Sequence, residues 1–116
     1  MQTFTTLHAV AVPLDRANVD TDQILPARFL KKPRSAGYGG FLFHDERRRD
    51  PDFPLDRPAF RGAAILVAAR NFGCGSSREG AVYGLVDGGI RCVIAPSFGD
   101  IFATNAAKNG LLTITL

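Results

Sequence analysis

Three short runs of nearly unbroken apolar residues mark the second half of the chain. They cover residues 63–70 (AAILVAAR), 91–97 (RCVIAPS) and 111–116 (LLTITL), and each has the length of a β-strand. Strands that are buried on both faces show continuous apolar runs, whereas strands with one solvated face alternate. The pattern therefore predicts strands of a parallel sheet that are covered on both sides.

Two segments of helical length separate these strands, residues 77–86 and 98–108. The second has Ser97 as a predicted N-cap, with Asp100 three residues later, and Asn109 and Gly110 as a stop signal. Strands that alternate with helices indicate a βαβαβ unit. The predicted fold class is therefore α/β, with a mainly parallel sheet and flanking helices.

The first half of the chain has a weaker pattern. Residues 4–14 (FTTLHAVAVPL) alternate as in a strand that ends at Pro13, and one helical turn is expected after Pro26. Residues 33–58 are rich in Pro, Gly and charge and have no sustained period, which predicts a long loop. Long loops within a domain are usually functional or mobile, and we expect residues 31–50 to be mobile.

Composition narrows the classes of protein. The 116 residues, 46% of them hydrophobic and 22% charged, suit a single soluble domain. No apolar run approaches the roughly 20 residues that cross a bilayer, and the first residues do not resemble a signal peptide, so we expect a cytoplasmic protein without a membrane partner. The net charge of +3 comes from scattered basic residues, apart from LKKPR and the acid-flanked DERRRD, so nucleic acid is not an expected partner.

Thiol and imidazole groups are few. Cys74 and Cys92 have no CxxC spacing, and His8 and His44 are distant from them in sequence. Neither a disulfide framework nor a metal site built by this chain is therefore expected.

The most unusual stretch is residues 71–79, NFGCGSSRE, between a predicted strand and a predicted helix. Such strand-to-helix turns bind ligands, because the helix N-terminus offers unpaired N–H groups and partial positive charge. Gly73 and Gly75 allow close approach of a ligand, Ser76 and Ser77 supply hydroxyls, and Arg78 can bind a carboxylate. The turn predicts a site for a small carboxylate anion, and the alternative is a capping serine beside a solvated arginine.

Other motifs with similar residues do not match. The dinucleotide fingerprint needs a glycine where Arg78 stands, and a phosphate loop needs Gly-Lys-Ser/Thr where the chain has Gly-Ala-Val at 80–82. The hydrolase elbow needs glycines two residues before and two after the serine, and neither Ser76 nor Ser77 has both.

A family resemblance covers nearly the whole chain. Residues 13–32 (PLDRANVDTDQILPARFLKK), 69–81 (ARNFGCGSSREGA) and 93–112 (VIAPSFGDIFATNAAKNGLL) resemble, in order, blocks of the 3-isopropylmalate dehydratase small subunits. These are the swivelling β/β/α domain of the aconitase superfamily. The resemblance implies a hydro-lyase of leucine biosynthesis that isomerises 2-isopropylmalate to 3-isopropylmalate by dehydration and rehydration. It also implies a large-subunit partner, in a heterodimer or heterotetramer, which carries a 4Fe–4S cluster and without which this chain is inactive.

The resemblance also assigns roles to residues. Ser76 would be the catalytic base, as an alkoxide, and the substrate would contact Ser77, Arg78, Asp22 and Gly75. For Asp22 the alternative is a turn-forming role. In the recognition loop, residues 31–50, the cations Lys31, Lys32 and Arg34 either reach the substrate or keep the loop in water. Cys74 is expected to pack near the turn, and Cys92 is expected in the core.

Two departures from the family pattern lead to further expectations. The family motif continues with His after Ser-Ser-Arg-Glu, whereas this chain has Gly80, which should weaken the helix by roughly 0.5–1 kcal/mol. The expected consequence is either a looser site or a chain specialised for a related substrate. The chain is also C-terminally short, so we expect an exposed apolar edge and a homodimer when the chain is isolated. The alternatives are the small subunit of a homoaconitase or methylmalate-type dehydratase, and a non-catalytic binding module.

Overall fold

A parallel four-stranded sheet lies at the centre of the chain in the computed structural model, which describes residues 9–75 and 78–116. The strands are β1 (Ala11–Leu14), β2 (Ile65–Ala68), β3 (Cys92–Ala95) and β4 (Leu112–Thr115). They lie in sequence order, and every neighbouring pair is parallel. The three strands predicted for the second half are confirmed. The strand predicted for residues 4–14 is confirmed for Ala11–Leu14, and residues 1–8 lie outside the described residues.

The α-helices are α1 (Thr21–Ile24), α2 (His44–Arg49), α3 (Glu79–Asp87) and α4 (Asp100–Lys108). A 3₁₀ turn, Ala27–Lys31, follows Pro26 as predicted. Helices α3 and α4 connect β2 to β3 and β3 to β4, which confirms the βαβαβ unit. None of the helices within residues 9–75 and 78–116 is long and apolar enough to span a bilayer.

The ends of α4 are partly as predicted. Asn109 is its C-cap, and Gly110 follows with a φ of 75°, the left-handed conformation that favours glycine. The N-cap is Gly99, and the prediction of Ser97 is wrong. The Ser97 hydroxyl instead accepts a hydrogen bond from the N–H of Asn71 at 2.8 Å, so it joins two loops and caps no helix.

The core lies on one face of the sheet. Val12, Leu66 and Val93 are neighbours across β1, β2 and β3, and each is fully buried. On the opposite face Val67 and Ile114 are each 38% exposed. The prediction of strands covered on both faces is therefore wrong for the described residues, because α3 and α4 supply side chains to one face only. The predicted apolar edge is confirmed, since β4 is an edge strand with exposed leucine and isoleucine.

Residues 33–58 are not an irregular loop. They contain α2 and the 3₁₀ turns Arg34–Ala36, Tyr38–Phe41 and Pro54–Asp56. Their aromatic side chains explain why: Tyr38, Phe43 and Phe53 are at most 5% exposed and pack inside the protein. Long-range burial organises a segment in which the local sequence shows no period.

Candidate functional site

The candidate site forms where the loops after β1 and β2 run side by side. The N–H of Gly73 donates to the carbonyl of Val19 at 2.7 Å, and the N–H of Thr21 donates to the carbonyl of Cys74 at 3.0 Å. Asp20 and Cys74 form an isolated parallel bridge. The pairing of β1 with β2 thus continues beyond the strands and brings two of the sequence blocks into contact.

A capping box holds the acidic side of the site. The Asp20 carboxylate accepts a hydrogen bond from the N–H of Gln23 at 2.8 Å, and the Gln23 side chain accepts one from the N–H of Asp20 at 2.9 Å. These bonds define the start of α1, a helix of one turn. They place Asp22 in that first turn, where its carboxylate accepts the N–H of Ala27 at 2.8 Å. The turn-forming role of Asp22 is therefore confirmed, and its contact with a substrate stays a prediction.

The cleft has a volume of about 290 Å³. Its walls are formed by Asp20, Thr21, Asp22, Ala27, Gly75 and Arg78. Three of the predicted site residues, Asp22, Gly75 and Arg78, are thus brought together. The predicted catalytic Ser76 and its neighbour Ser77 lie outside the described residues.

The charges of the cleft are complementary to a hydroxy acid. Arg78 is exposed at the N-cap of α3, where the helix N-terminus adds partial positive charge. Within residues 9–75 and 78–116 no carboxylate forms an ion pair with Arg78. A guanidinium binds a carboxylate through two parallel hydrogen bonds, whereas the carboxylates of Asp20 and Asp22 accept hydrogen bonds from hydroxyls. The arrangement favours a ligand with both groups over a simple anion.

The turn between β2 and α3 depends on its glycines. Gly73 and Gly75 have φ values of 78° and 89°, which L side chains adopt only with strain. A Cβ on Gly73 would lie 2.3 Å from Cγ of Phe102. The prediction that Gly73 permits close approach of a ligand is therefore wrong, because the side chain of Phe102 occupies that space. Gly75, in contrast, lines the cleft.

Two asparagines also shape the site, and neither was singled out from the sequence. Asn18 and Asn71 follow β1 and β2 with φ values of 57° and 60°. The Asn71 side-chain amide donates to the Asn18 side-chain oxygen at 3.0 Å. Asparagine tolerates the left-handed region better than other non-glycine residues. In the sequence, the signal for this turn is Asn71, which directly follows the apolar run of residues 63–70.

The glycines of α3 form a packed stripe. Gly80 and Gly84 lie four residues apart in α3, and Gly88 follows four residues later as the C-cap of the helix. A Cβ at Gly80 would stand 2.2 Å from Cδ2 of Leu30, and a Cβ at Gly88 would stand 2.9 Å from Cδ2 of Leu42. Leu30 fills the space that a side chain at position 80 would need, and the expectation that Gly80 loosens the site stays a prediction.

The cations of the predicted recognition loop have different environments. Lys31 and Lys32 are exposed. Arg34 donates hydrogen bonds to Asp87 at 2.9 and 3.2 Å, and its guanidinium lies 4.2 Å from the centroid of the Tyr83 ring. The hydrogen bond to Asp87 raises the pKa of Arg34 above its ordinary value. Arg34 thus attaches its segment to the end of α3, and its side chain stays exposed.

The thiols do not form a cluster site. Cys92 is 3% exposed within β3, as predicted, and burial raises the pKa of its thiol. Cys74 is half-buried beside Asp20. In the part of the chain that the structure describes, no three His, Cys, Asp or Glu side chains are placed to hold a metal. Iron–sulfur clusters need three or four thiolates, so the residues present do not fit one.

Comparisons with known proteins identify the family of the chain. The family model of the aconitase C-terminal domain matches residues 1–116. The 3-isopropylmalate dehydratase small subunit of Acidobacterium capsulatum is 59% identical over 116 residues, which are 100% of this chain and 56% of the relative. The protein of the same name from Shewanella amazonensis is 52% identical, over 100% of this chain and 61% of the relative.

A solved structure supports the same relationship. The crystal structure of 3-isopropylmalate dehydratase (leuD) from Methanocaldococcus jannaschii superposes with a TM-score of 0.74 at 36% identity, and the match covers 92% of this chain and 60% of that one. The predicted fold class is thereby confirmed. The chain spans little more than half the length of the curated relatives that it matches. Since the family model matches residues 1–116 of the chain, the chain belongs to the aconitase C-terminal domain family.

Proposed function

We propose that this chain acts as the small subunit of a 3-isopropylmalate dehydratase, which isomerises 2-isopropylmalate to 3-isopropylmalate. The observation that carries the proposal is the cleft, which is lined by Asp22, Gly75 and Arg78. Ser76 and Ser77 stand between Gly75 and Arg78 in the sequence. Relatives that are 52–59% identical over essentially the whole chain bear this name.

The reaction needs groups of the kind that the cleft contains. The substrate loses a hydroxyl from one carbon and a proton from the neighbouring carbon, which lies α to a carboxylate, and the water is then added back with the positions exchanged. Arg78 binds a substrate carboxylate, and Asp22 accepts a hydrogen bond from the substrate hydroxyl. Ser76, as an alkoxide, takes the proton and returns it to the other carbon. Ser77 and the backbone of Gly75 contact the substrate.

A serine alkoxide needs strong stabilisation, because an ordinary hydroxyl is a weak base. The chain offers two sources of positive potential near position 76. One is the partial charge at the N-terminus of α3, and the other is the guanidinium of Arg78. Both follow Ser76 closely in the sequence, which supports its assignment as the base.

The remainder of the active site is assigned to a partner. We infer that a large subunit carries the 4Fe–4S cluster, since the described residues of this chain do not supply its ligands. The two subunits form a heterodimer or heterotetramer, and this chain alone is inactive. In isolation it forms a homodimer through the exposed apolar strand β4, where Leu112 is 40% exposed and Ile114 is 38% exposed.

A related substrate remains the second candidate. The exposed Lys31 and Lys32, which follow the cleft residue Ala27 within one turn, begin the proposed recognition loop, residues 31–50. A substituent with an extra carboxylate would be attracted to these cations, whereas an isopropyl group has no charge and would not be. The two lysines therefore favour a homoaconitase-type substrate. Relative kcat/KM for the two substrates decides between them.

The test uses the chain mixed anaerobically with a cluster-loaded large subunit from the same source. Turnover of 2-isopropylmalate should require both subunits. Replacement of Ser76 by Ala should lower kcat by about 10²–10⁴, the usual contribution of general acid–base catalysis. Arg78→Ala should lower kcat/KM, whereas Arg61→Ala, which removes an exposed arginine outside the cleft, should have no effect.

The possible results separate the candidates. A complex that forms and turns over neither 2-isopropylmalate nor its homologues would overturn the proposal in favour of a binding module. An active complex in which Ser76→Ala retains full activity would overturn the base assignment alone.

A further inference from the structure

A side-chain contact joins the two walls of the cleft, in addition to the backbone hydrogen bonds between the loops after β1 and β2. Leu30, in the 3₁₀ turn Ala27–Lys31, places its Cδ2 atom 2.2 Å from the position that a Cβ of Gly80 would take. Leu25 lies 3.3 Å from the same position. Gly80 is buried in the first turn of α3, so this contact is covered from solvent.

Both partners are close in sequence to cleft residues. Ala27, three residues before Leu30, forms one wall, and its N–H is bound by the carboxylate of Asp22 at 2.8 Å. Arg78, two residues before Gly80, forms the other wall. The contact of Leu30 with α3 therefore links the segment that holds Asp22 and Ala27 to the segment that holds Arg78.

The absence of a side chain at position 80 is what permits this contact. The backbone of Gly80 does not have a positive φ, so a side chain there is compatible with the helix itself. The obstacle is the methyl end of Leu30, which would have to move. A side chain at position 80 would therefore displace Leu30 from its place on α3 and leave the fold intact.

We propose that Leu30 and Gly80 are a pair of positioning residues that set the separation of Asp22 and Arg78, and so the size of the substituted malate that the cleft accepts. The substrate in this statement rests on the proposed function, whereas the separation of the walls does not. Displacements of about 1 Å at a binding site can change rates by about 100-fold, so a shift of one methyl group is sufficient.

The first experiment needs no turnover. Amide hydrogen exchange is measured on the chain and on Gly80→Ala, and the N–H of Ala27 is followed because it reports the bond to Asp22. We expect exchange at Ala27 to rise about tenfold or more in Gly80→Ala, the change that follows when the bond is open for a tenfold larger fraction of time. The matched control is Gly84→Ala, one turn further along α3, where the atoms nearest to the added Cβ belong to Leu25, Leu42 and Tyr38 and not to Leu30. Unchanged exchange at Ala27 in Gly80→Ala would overturn the proposal.

The second experiment uses the assembled enzyme. Gly80→Ala should raise KM for 2-isopropylmalate about tenfold and alter the preference between malates with larger and smaller substituents, while Gly84→Ala should change neither. The double variant Leu30→Ala/Gly80→Ala removes the obstructing methyls and should recover much of the loss, so the two substitutions are not additive. Additive effects, or a changed KM with an unchanged preference, would overturn the proposal. An inactive unaltered enzyme would refute the proposed function, and the exchange measurement would still decide the separation of the walls.

Discussion

Replacement of Gly73 by Ala tests the geometry of the strand-to-helix turn. Gly73 has a φ of 78°, and a Cβ there would meet Phe102 at 2.3 Å from Cγ and 2.7 Å from Cβ. Phe102 is 1% exposed and packs edge-on against Phe72, with ring centroids 5.4 Å apart. Because its Cβ and Cγ lie close to the backbone of α4, Phe102 cannot rotate out of the way.

The expected cost has two separate parts. An L residue in the left-handed region costs about 1–2 kcal/mol, less about 0.4–1 kcal/mol for the lower entropy of the unfolded chain. Overpacking against a buried ring adds about 1–3 kcal/mol. Gly73→Ala should therefore destabilise the chain by about 2–4 kcal/mol, a large share of the roughly 5–15 kcal/mol that stabilises a typical domain.

Gly62 provides a matched control. Its φ of 75° is nearly the same, but nothing lies within 4 Å of the position that a Cβ would take. Gly62→Ala should therefore cost only the backbone part, about 0.5–1.5 kcal/mol. Equilibrium urea unfolding followed by circular dichroism gives both free energies. If Gly73→Ala is no more destabilising than Gly62→Ala, the close packing of the turn on Phe102 is refuted.

Three further predictions concern charges and thiols. Hydrogen bonds from Arg28 lower the pKa of Asp45 in the folded chain below its ordinary value of 3.8. The ionised Asp45 therefore stabilises the fold fully above about pH 4, and this stabilisation is lost as the pH falls towards the pKa of the folded state. Urea unfolding should show a gap between the chain and Asp45→Asn that is constant from neutral pH to about pH 4.5 and closes in stronger acid; a gap that grows in acid would contradict this. Arg34→Met and Asp87→Asn should each destabilise the chain by about 0.5–1 kcal/mol and the double variant by no more than either, and strictly additive losses would show that the pair is not coupled. With the other cysteine replaced by serine, Cys92 should react with a thiol reagent far more slowly in the folded than in the urea-unfolded chain, because burial raises its pKa and shields it; equal rates would exclude the buried position.

The regular part of the fold could be predicted from the sequence. Strands β2, β3 and β4 and helices α3 and α4 are short elements with strong apolar runs or helical spacing, and their order implies a right-handed parallel arrangement. The site was also partly visible, because Gly75 and Arg78 fall at the carboxyl end of a predicted strand. Local propensities agree with the tertiary structure in this region, and agreement of that kind makes a prediction reliable.

Where local signals competed, long-range contacts decided the outcome. Ser97 has the composition of an N-cap, yet its hydroxyl bonds to Asn71, which is distant in sequence and adjacent in space. Residues 33–58 have no period, yet Tyr38, Phe43 and Phe53 are buried, and the rings of Phe43 and Phe53 pack against each other with centroids 5.3 Å apart although they lie ten residues apart in the sequence.

The sequence by itself determined the strand-to-helix turn after β2 and predicted a carboxylate site there, since glycines, hydroxyls and an arginine are concentrated in it. Only the tertiary structure placed Asp22 and Ala27 opposite Arg78, and only it showed Leu30 in the space left open at Gly80. The physical reason is that a local pattern specifies the conformation of a segment. The separation of two segments is determined by the side chains that pack between them, and these are distant in the sequence.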